Sequence, residues 1–253
     1  MTARQYPHPD TGIISDDSTG IEYPLVQVGV VNEDDSTIIV TTWSSATGLN
    51  TVRQLLGGCG TQTAALAVGG FDAFDNNLDS TEEYNGTSWS AIGAIATERS
   101  YTSATGTQSA ALIIGGYNHI DYTLGSTEEY NGTSWSAGGA LITARDSHGS
   151  CGTQSAALAV AGLDIPQATI ASSEEYNGAT WSTGGSLTTE RYYIAASGTQ
   201  SAALVGGGRA SGVQLDSSEE YNGTVWSAGG DLLAARAGYG AAGVLNTGLS
   251  FGG

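Results

Sequence analysis

The residues able to do chemistry in this 253-residue chain are few, and most of them recur at fixed spacing. Five of the seven arginines (Arg53, Arg99, Arg145, Arg191 and Arg236) stand 46 or 45 residues apart. The pairs Glu82-Glu83, Glu128-Glu129, Glu174-Glu175 and Glu219-Glu220 keep the same step. Recurring arginines could bind an anion or could each pair with a carboxylate inside the fold. Five equivalent arginines form a ring, and glutamates follow four of them, so structural pairing is the preferred reading. Ile38-Ile39 stand where the fifth unit should have its glutamates, so one arginine should lack that partner. The recurring Tyr and Trp could stack on sugars, but at identical positions in every unit they read as core.

The remaining reactive groups do not converge in sequence. His8, His119 and His148 fall in three unlike segments, and neither a Gly-x-Ser-x-Gly elbow nor a phosphate loop leading into a helix is present. Cys59 and Cys151 both precede Gly-Thr-Gln at equivalent positions two units apart, too far for a disulfide. With no Cys-x-x-Cys spacing, zinc is not expected either. Asn85, Asn131 and Asn222 head Asn-Gly-Thr sequons, which a hairpin turn explains without glycosylation. The expectation is a protein without catalytic residues, cofactor or metal.

The elements that must position these residues follow from the repeat. Gly-Thr-Gln begins at Gly60, Gly106, Gly152 and Gly198, and all five tryptophans (Trp43, Trp89, Trp135, Trp181, Trp226) keep the same register. Each unit reads as four short strands. In the second unit they are Ser100 to Thr105 with a turn at Gly106-Thr107, Ala110 to Ile114 closed by Gly115-Gly116, Ser126 to Tyr130 with a hairpin at Asn131-Gly132, and a strand holding Trp135. Four strands per unit at this period fit a propeller blade.

The ends set the number of blades. Gly252 follows Arg236 by 16 residues, as Gly69 follows Arg53, so the last unit stops just past its second strand, while residues 36–43 match a third and fourth strand. The reading is all-β: a five-bladed β-propeller over residues 36–253, its fifth blade joined from C-terminal and N-terminal strands. Such closure removes the free edges of an open array. Residues 1–35 form an N-terminal arm with three of the four prolines and seven acidic residues against Arg4. The arm is expected to be disordered or docked elsewhere.

The net charge of −18, with no lysine, excludes a nucleic-acid-binding surface. No apolar run is long enough to cross a bilayer, and the start lacks a signal-peptide core. Free thiols fit a reducing cytosol.

An arginine, a paired glycine after an apolar strand, then Glu-x-Tyr and a Trp about five residues on resembles the kelch motif over residues 36–253. The wording GTQ-x-AALAxGG…STEEYNGTSWS resembles kelch-like repeats encoded by bacteriophages, marine ones in particular. That resemblance implies a virion-associated or fibre-like protein, made in the host bacterial cytoplasm and located in the virion. It further implies a homo- or hetero-oligomeric assembly, with capsid or tail proteins contacted through residues 1–35 and with host glycan as a possible ligand. Kelch propellers are mostly binding platforms. The copper-oxidase branch needs histidine ligands and a Tyr-Cys pair that this sequence does not offer.

Where the units differ, positions are free of scaffold duty. The stretches between strands two and three diverge most: 71–79, 117–125, 163–171 and 209–216. By topology they share one face. Their candidate binding residues are Phe71, Asp72, Phe74, Asp75, Tyr117, His119, Asp121, Tyr122, Asp164 and Arg209, with the four aromatics expected to be exposed. Aromatic side chains beside Asp and Asn suit a sugar- or protein-binding rim. A Ca²⁺ site within 72–79 is the alternative use of those aspartates, though the EF-hand spacing is missing. A free-standing lectin-like propeller and, behind it, a carbohydrate-active enzyme with carboxylates on the axis are the competing functions.

Overall fold

The computed structural model describes residues 46–245 and 249–252. Among them the chain is all-β, without helices, and forms a β-propeller arrangement of four complete four-stranded blades. The first blade is β1 (Gly57–Thr61), β2 (Ala64–Val68), β3 (Thr81–Tyr84) and β4 (Trp89–Ile92). The second holds β5 (Ser103–Thr107), β6 (Ala110–Ile114), a small hairpin of β7 (Tyr117–Asn118) and β8 (Tyr122–Thr123), then β9 (Thr127–Tyr130) and β10 (Trp135–Ala137). The third is β11 (Gly149–Thr153), β12 (Ala156–Val160), β13 (Ser172–Tyr176) and β14 (Trp181–Ser186). The fourth is β15 (Ala195–Thr199), β16 (Ala202–Gly206), a hairpin of β17 (Arg209–Ala210) and β18 (Val213–Gln214), β19 (Ser218–Tyr221) and β20 (Trp226–Ala228). A two-stranded sheet of β21 (Gly240–Ala242) and β22 (Leu249–Phe251) follows. The arm expected over 1–35 and the strands expected over 36–43 lie outside the described residues.

Each blade is an antiparallel meander, and successive first strands β1, β5, β11, β15 and β21 lie against one another. The second strand explains the core. Its side chains alternate between faces, so Leu112 and Ile114 pack toward the third blade while Ala111 and Ile113 pack back on the first. The same alternation places Leu158 and Val160 against Ala203 and Val205 of the fourth blade. The apolar core is therefore a set of seams between blades.

Two turn expectations are corrected. The first hairpin turns at Gln108-Ser109, with Gly106 and Thr107 still paired to Ala111 and Ala110. Gly106 serves the strand instead: at φ 104° a side chain there would collide with the carbonyl of Ala110. The Asn-Gly hairpin is a four-residue loop, Asn131 to Ser134, in which Asn131 Oδ1 accepts the Thr133 and Ser134 amides at 3.0 and 2.9 Å. The first strand also starts later than expected, at Ser103, because Ser100 pairs with Tyr117 at the loop face.

Candidate functional site

The repeated charged and aromatic residues form the scaffold on which any site must stand. Arg99, Arg145 and Arg191 are fully buried, and Arg53 nearly so. Each donates to the first glutamate of its own blade: Arg53–Glu82 at 2.9 Å, Arg99–Glu128 at 3.0 Å, Arg145–Glu174 at 2.6 Å and Arg191–Glu219 at 2.9 Å. Arg99 uses all three guanidinium nitrogens: Nε donates to Thr97 O, Nη1 to Gly115 O and Ser126 O, and Nη2 to Ser126 Oγ and Glu128. Lysine could not span that set. The glutamate completes its shell with main-chain amides of the incoming linker; Glu174 accepts from Ile142 N at 2.7 Å and Thr143 N at 3.0 Å. At Glu82, burial works to raise the pKa, but the Asn50 and Thr51 amides and Arg53 outweigh it and hold the carboxyl below its usual range. Among the described residues Arg236 meets only a carbonyl, Gly252 O at 3.1 Å.

The second glutamate and the tyrosine join neighbouring blades. Tyr130 Oη donates to Glu83, Tyr176 to Glu129 and Tyr221 to Glu175, at 2.9, 2.7 and 2.8 Å. Within each blade the tyrosine packs on its cross-strand tryptophan at 4.8 to 5.0 Å. Burial and the Glu83 carboxylate push Tyr130 up to about 12. The glutamine of Gly-Thr-Gln is a further clamp that the sequence reading used only as a register mark. Gln108, Gln154 and Gln200 each donate to two main-chain carbonyls of the preceding blade, as Gln154 does to Ala111 O and Tyr130 O. Cys59 and Cys151 are free, and burial pushes each thiol up to about 12, away from reactivity at neutral pH.

The divergent stretches do share one face, and the first three touch in succession. His119 Nε2 lies 3.1 Å from Asp75 O, and Gln167 Nε2 lies 3.2 Å from Thr123 Oγ1. Phe71 is a correction: it is 7% exposed, set edge-on to Tyr101 and beside His119. Its place is fixed by pairing with Gln54 and Asn77, which turns the ring inward. Tyr117 is half-buried, against Tyr101, His119 and Tyr122. Phe74 and Tyr122 are exposed as expected.

Most polar groups of these loops are turned to internal work. The Asp72 carboxylate accepts three bonds, from Phe74 N, Asn76 N and Asn76 Nδ2, at 2.8 to 2.9 Å, and the Asn76 amide leads in lowering its pKa. A carboxylate so engaged shapes a turn. Asn118 does the same in the next loop, accepting from Ile120 N and Asp121 N and donating to Asp121 Oδ2. Asp164 and Arg209 stand half-buried in their own loops, and among the described residues no hydrogen bond or ring contact joins them to the Phe71–Tyr122 group.

Two sets of residues escaped the sequence reading. One lies two places after each arginine: Leu55, Tyr101, Ser147, Tyr193 and Gly238, all at φ between 49° and 69°. Their main chains link blade to blade, Tyr101 N to Leu55 O, Ser147 N to Tyr101 O, Tyr193 N to Ser147 O and Gly238 N to Tyr193 O, at 2.8 to 2.9 Å. Tyr101 and Tyr193 meet at 5.9 Å across the intervening third blade, which places this series around the axis. Burial, then Tyr101, push the Tyr193 hydroxyl up to about 12. The fixed distance from the arginine was the available signal. The other set is the loop tips Ile120, Ile165 and Val213, which with Phe74 give each loop at least one strongly exposed apolar side chain.

The carboxylate nearest this face's interior, Asp146, is buried and accepts from Thr123, Ser147 and Gln167, and burial raises its pKa. Next to it His148 Nε2 lies 2.6 Å from Ser103 Oγ, but burial and Arg145 push the imidazole down to about 3, and its Nδ1 has no partner to orient it. A serine beside a ring so hard to protonate lacks the poised base that nucleophilic catalysis needs. No protein-family model matches the chain, and no curated protein matches it.

Proposed function

We propose that the chain is a non-catalytic binding propeller of five kelch-like blades, a structural or adhesion component of a bacteriophage virion. In this reading residues 1–35 attach to capsid or tail proteins, and the loop face points outward to host glycan or another virion protein. The observation that carries it is the division of labour among side chains. At the seams between the described blades the repeated Arg, Glu, Tyr and Gln side chains brace the fold, while the loop tips present unlike, exposed groups to solvent. The phage assignment rests on the resemblance of the repeat wording.

Closure by a fifth blade is supported by the edge of the fourth. A cavity of about 180 Å³ opens there, lined by Leu204, Gly206, Glu220, Leu232, Tyr239 and Ala241, beside the two strands β21 and β22. Residues 36–43 would supply the remaining two strands. Deleting them should lower stability sharply, and undiminished stability would remove the closure from the account.

Deleting residues 1–35 tests the assembly role: incorporation into particles should be lost while the propeller stays folded. Incorporation that survives the deletion leaves the free-standing lectin-like reading, which the half-exposed tyrosines Tyr101, Tyr117, Tyr192 and Tyr193 favour. Turnover of any oligosaccharide by the full chain would restore the enzyme.

A further inference from the structure

We infer that the loop face recognises a protein surface, an apolar patch bordered by Lys and Arg, rather than a glycan; this rests on the proposed binding role of that face. Three observations lead there. First, the tips are aliphatic or aromatic and stand clear of the fold: Phe74 is 84% exposed, Ile120 76%, Ile165 59% and Val213 65%. Each comes from a different blade, and the linkers on the same face add Val52 at 78% and Ile142 at 60%. Apolar side chains so placed have no role in the core and gain most by burial in a partner.

Second, the amides and two of the carboxylates of these loops that a sugar could use are already engaged. Glycan recognition depends on planar polar side chains free to bond hydroxyls. Here Asp72, Asn76 and Asn118 bond within their own loops, while Asn77, seated against Ser100 of the next blade, is buried with Asp146. What stands furthest out at the loop tips is apolar, with carboxylates around it.

Third, the charge around the tips has one sign. Asp75, Asp79, Asp121, Glu190, Asp216 and Asp231 are exposed on the loops and linkers of this face, while its arginines other than Arg209 are spent on the internal glutamates or carbonyls. A second copy presenting the same face would bring acid against acid, so self-association is disfavoured there. A partner with basic residues around an apolar centre meets both features, and its approach is hastened by the field.

The test is selection of a random-peptide display library on the full chain, run beside a panel of oligosaccharides and a sedimentation measurement. Expected are peptides combining apolar residues with Lys or Arg, whose affinity weakens with added salt. Their dissociation constants should rise at least about tenfold on the double variant Phe74→Ser/Ile120→Ser. The exposed Val225→Ser change at the opposite face should leave them unaltered. Oligosaccharide binding lost in the double variant, or self-association lost in it, would overturn this inference and leave the loop face as the binding face. Selected peptides that bind wild type and double variant alike, or neither class of ligand binding, would overturn the binding role of the face together with it.

Discussion

The two faces of the propeller are built from the same repeat and treat it differently. On one, the turns Gln62-Thr63, Gln108-Ser109, Gln154-Ser155 and Gln200-Ser201 alternate with loops headed by Asn85, Asn131, Asn177 and Asn222. Every one of those asparagines accepts the same two amides, at 2.9 to 3.0 Å. Gln108, Gln154 and Gln200 beside them clamp the preceding blade. On the other face, four loops leave second strands in equivalent places and then diverge in sequence, while alternating between two shapes: the first and third close one turn, with Asp72 N bonded to Asn76 O and Asp164 N to Ala168 O, and the second and fourth form small hairpins. The difference teaches that sameness among units tracks the seams between sheets and the turns that end them. A side chain that braces a seam repeats, because the next seam has the same geometry, whereas loop-face contacts between blades, such as His119 to Asp75 and Gln167 to Thr123, do not repeat. A residue that touches only solvent is free to vary, and free to bind.

Changes on the bracing side should break the fold, and the largest effect is expected at the buried ion pair. Arg145→Ala strands the Glu174 carboxylate in the interior and should cost about 3–5 kcal/mol, read by equilibrium urea unfolding. An unchanged midpoint would mean that the arginine ring is not what fixes the blades. Next comes acid. In the unfolded chain an imidazole takes its proton near pH 6.5, but His148 in the fold does so only near 3. Burying the neutral ring therefore contributes fully above pH 6.5, and that contribution is lost as the pH falls toward 3. His148→Thr, the residue that the second blade uses at the equivalent Thr102, should flatten this part of the pH–stability curve. A curve of the same slope would assign the acid sensitivity to the carboxylates.

A smaller effect is expected at the seam clamp. Gln154→Ala leaves the carbonyls of Ala111 and Tyr130 without their donor and should lower stability by about 1–2 kcal/mol. Smallest of all, serine at Phe74, Ile120, Ile165 and Val213 should change stability by no more than about 0.5 kcal/mol per site, because these side chains contact little within the fold. A marked loss there would erase the distinction between the faces.

Much of the scaffold could be read from the repeat, since a spacing kept by Arg, Glu, Tyr and Trp together can only reflect a unit that is itself repeated in space. Strand β6 and the pairing of Arg99 with Glu128 follow from it directly. The loop face was legible in location and less so in detail. Phe71 read as exposed because its loop is polar, yet main-chain pairing with Gln54 turns it inward. Asp72 read as a ligand group because sequence does not reveal that a carboxylate is closing its own turn. The axial series Leu55, Tyr101, Ser147, Tyr193 and Gly238 stayed hidden because five unlike residue types share one left-handed backbone position. There the constraint acts on the main chain, and side-chain identity does not record it.

The most direct test of the central claim is hydrogen–deuterium exchange of the full chain with and without a peptide selected on it. The account predicts added protection within 71–79, 117–125, 163–171 and 209–216 and none at the turns 61–63, 107–109 and 131–134. Protection confined to those turns would contradict it and move recognition to the face that the repeat keeps constant.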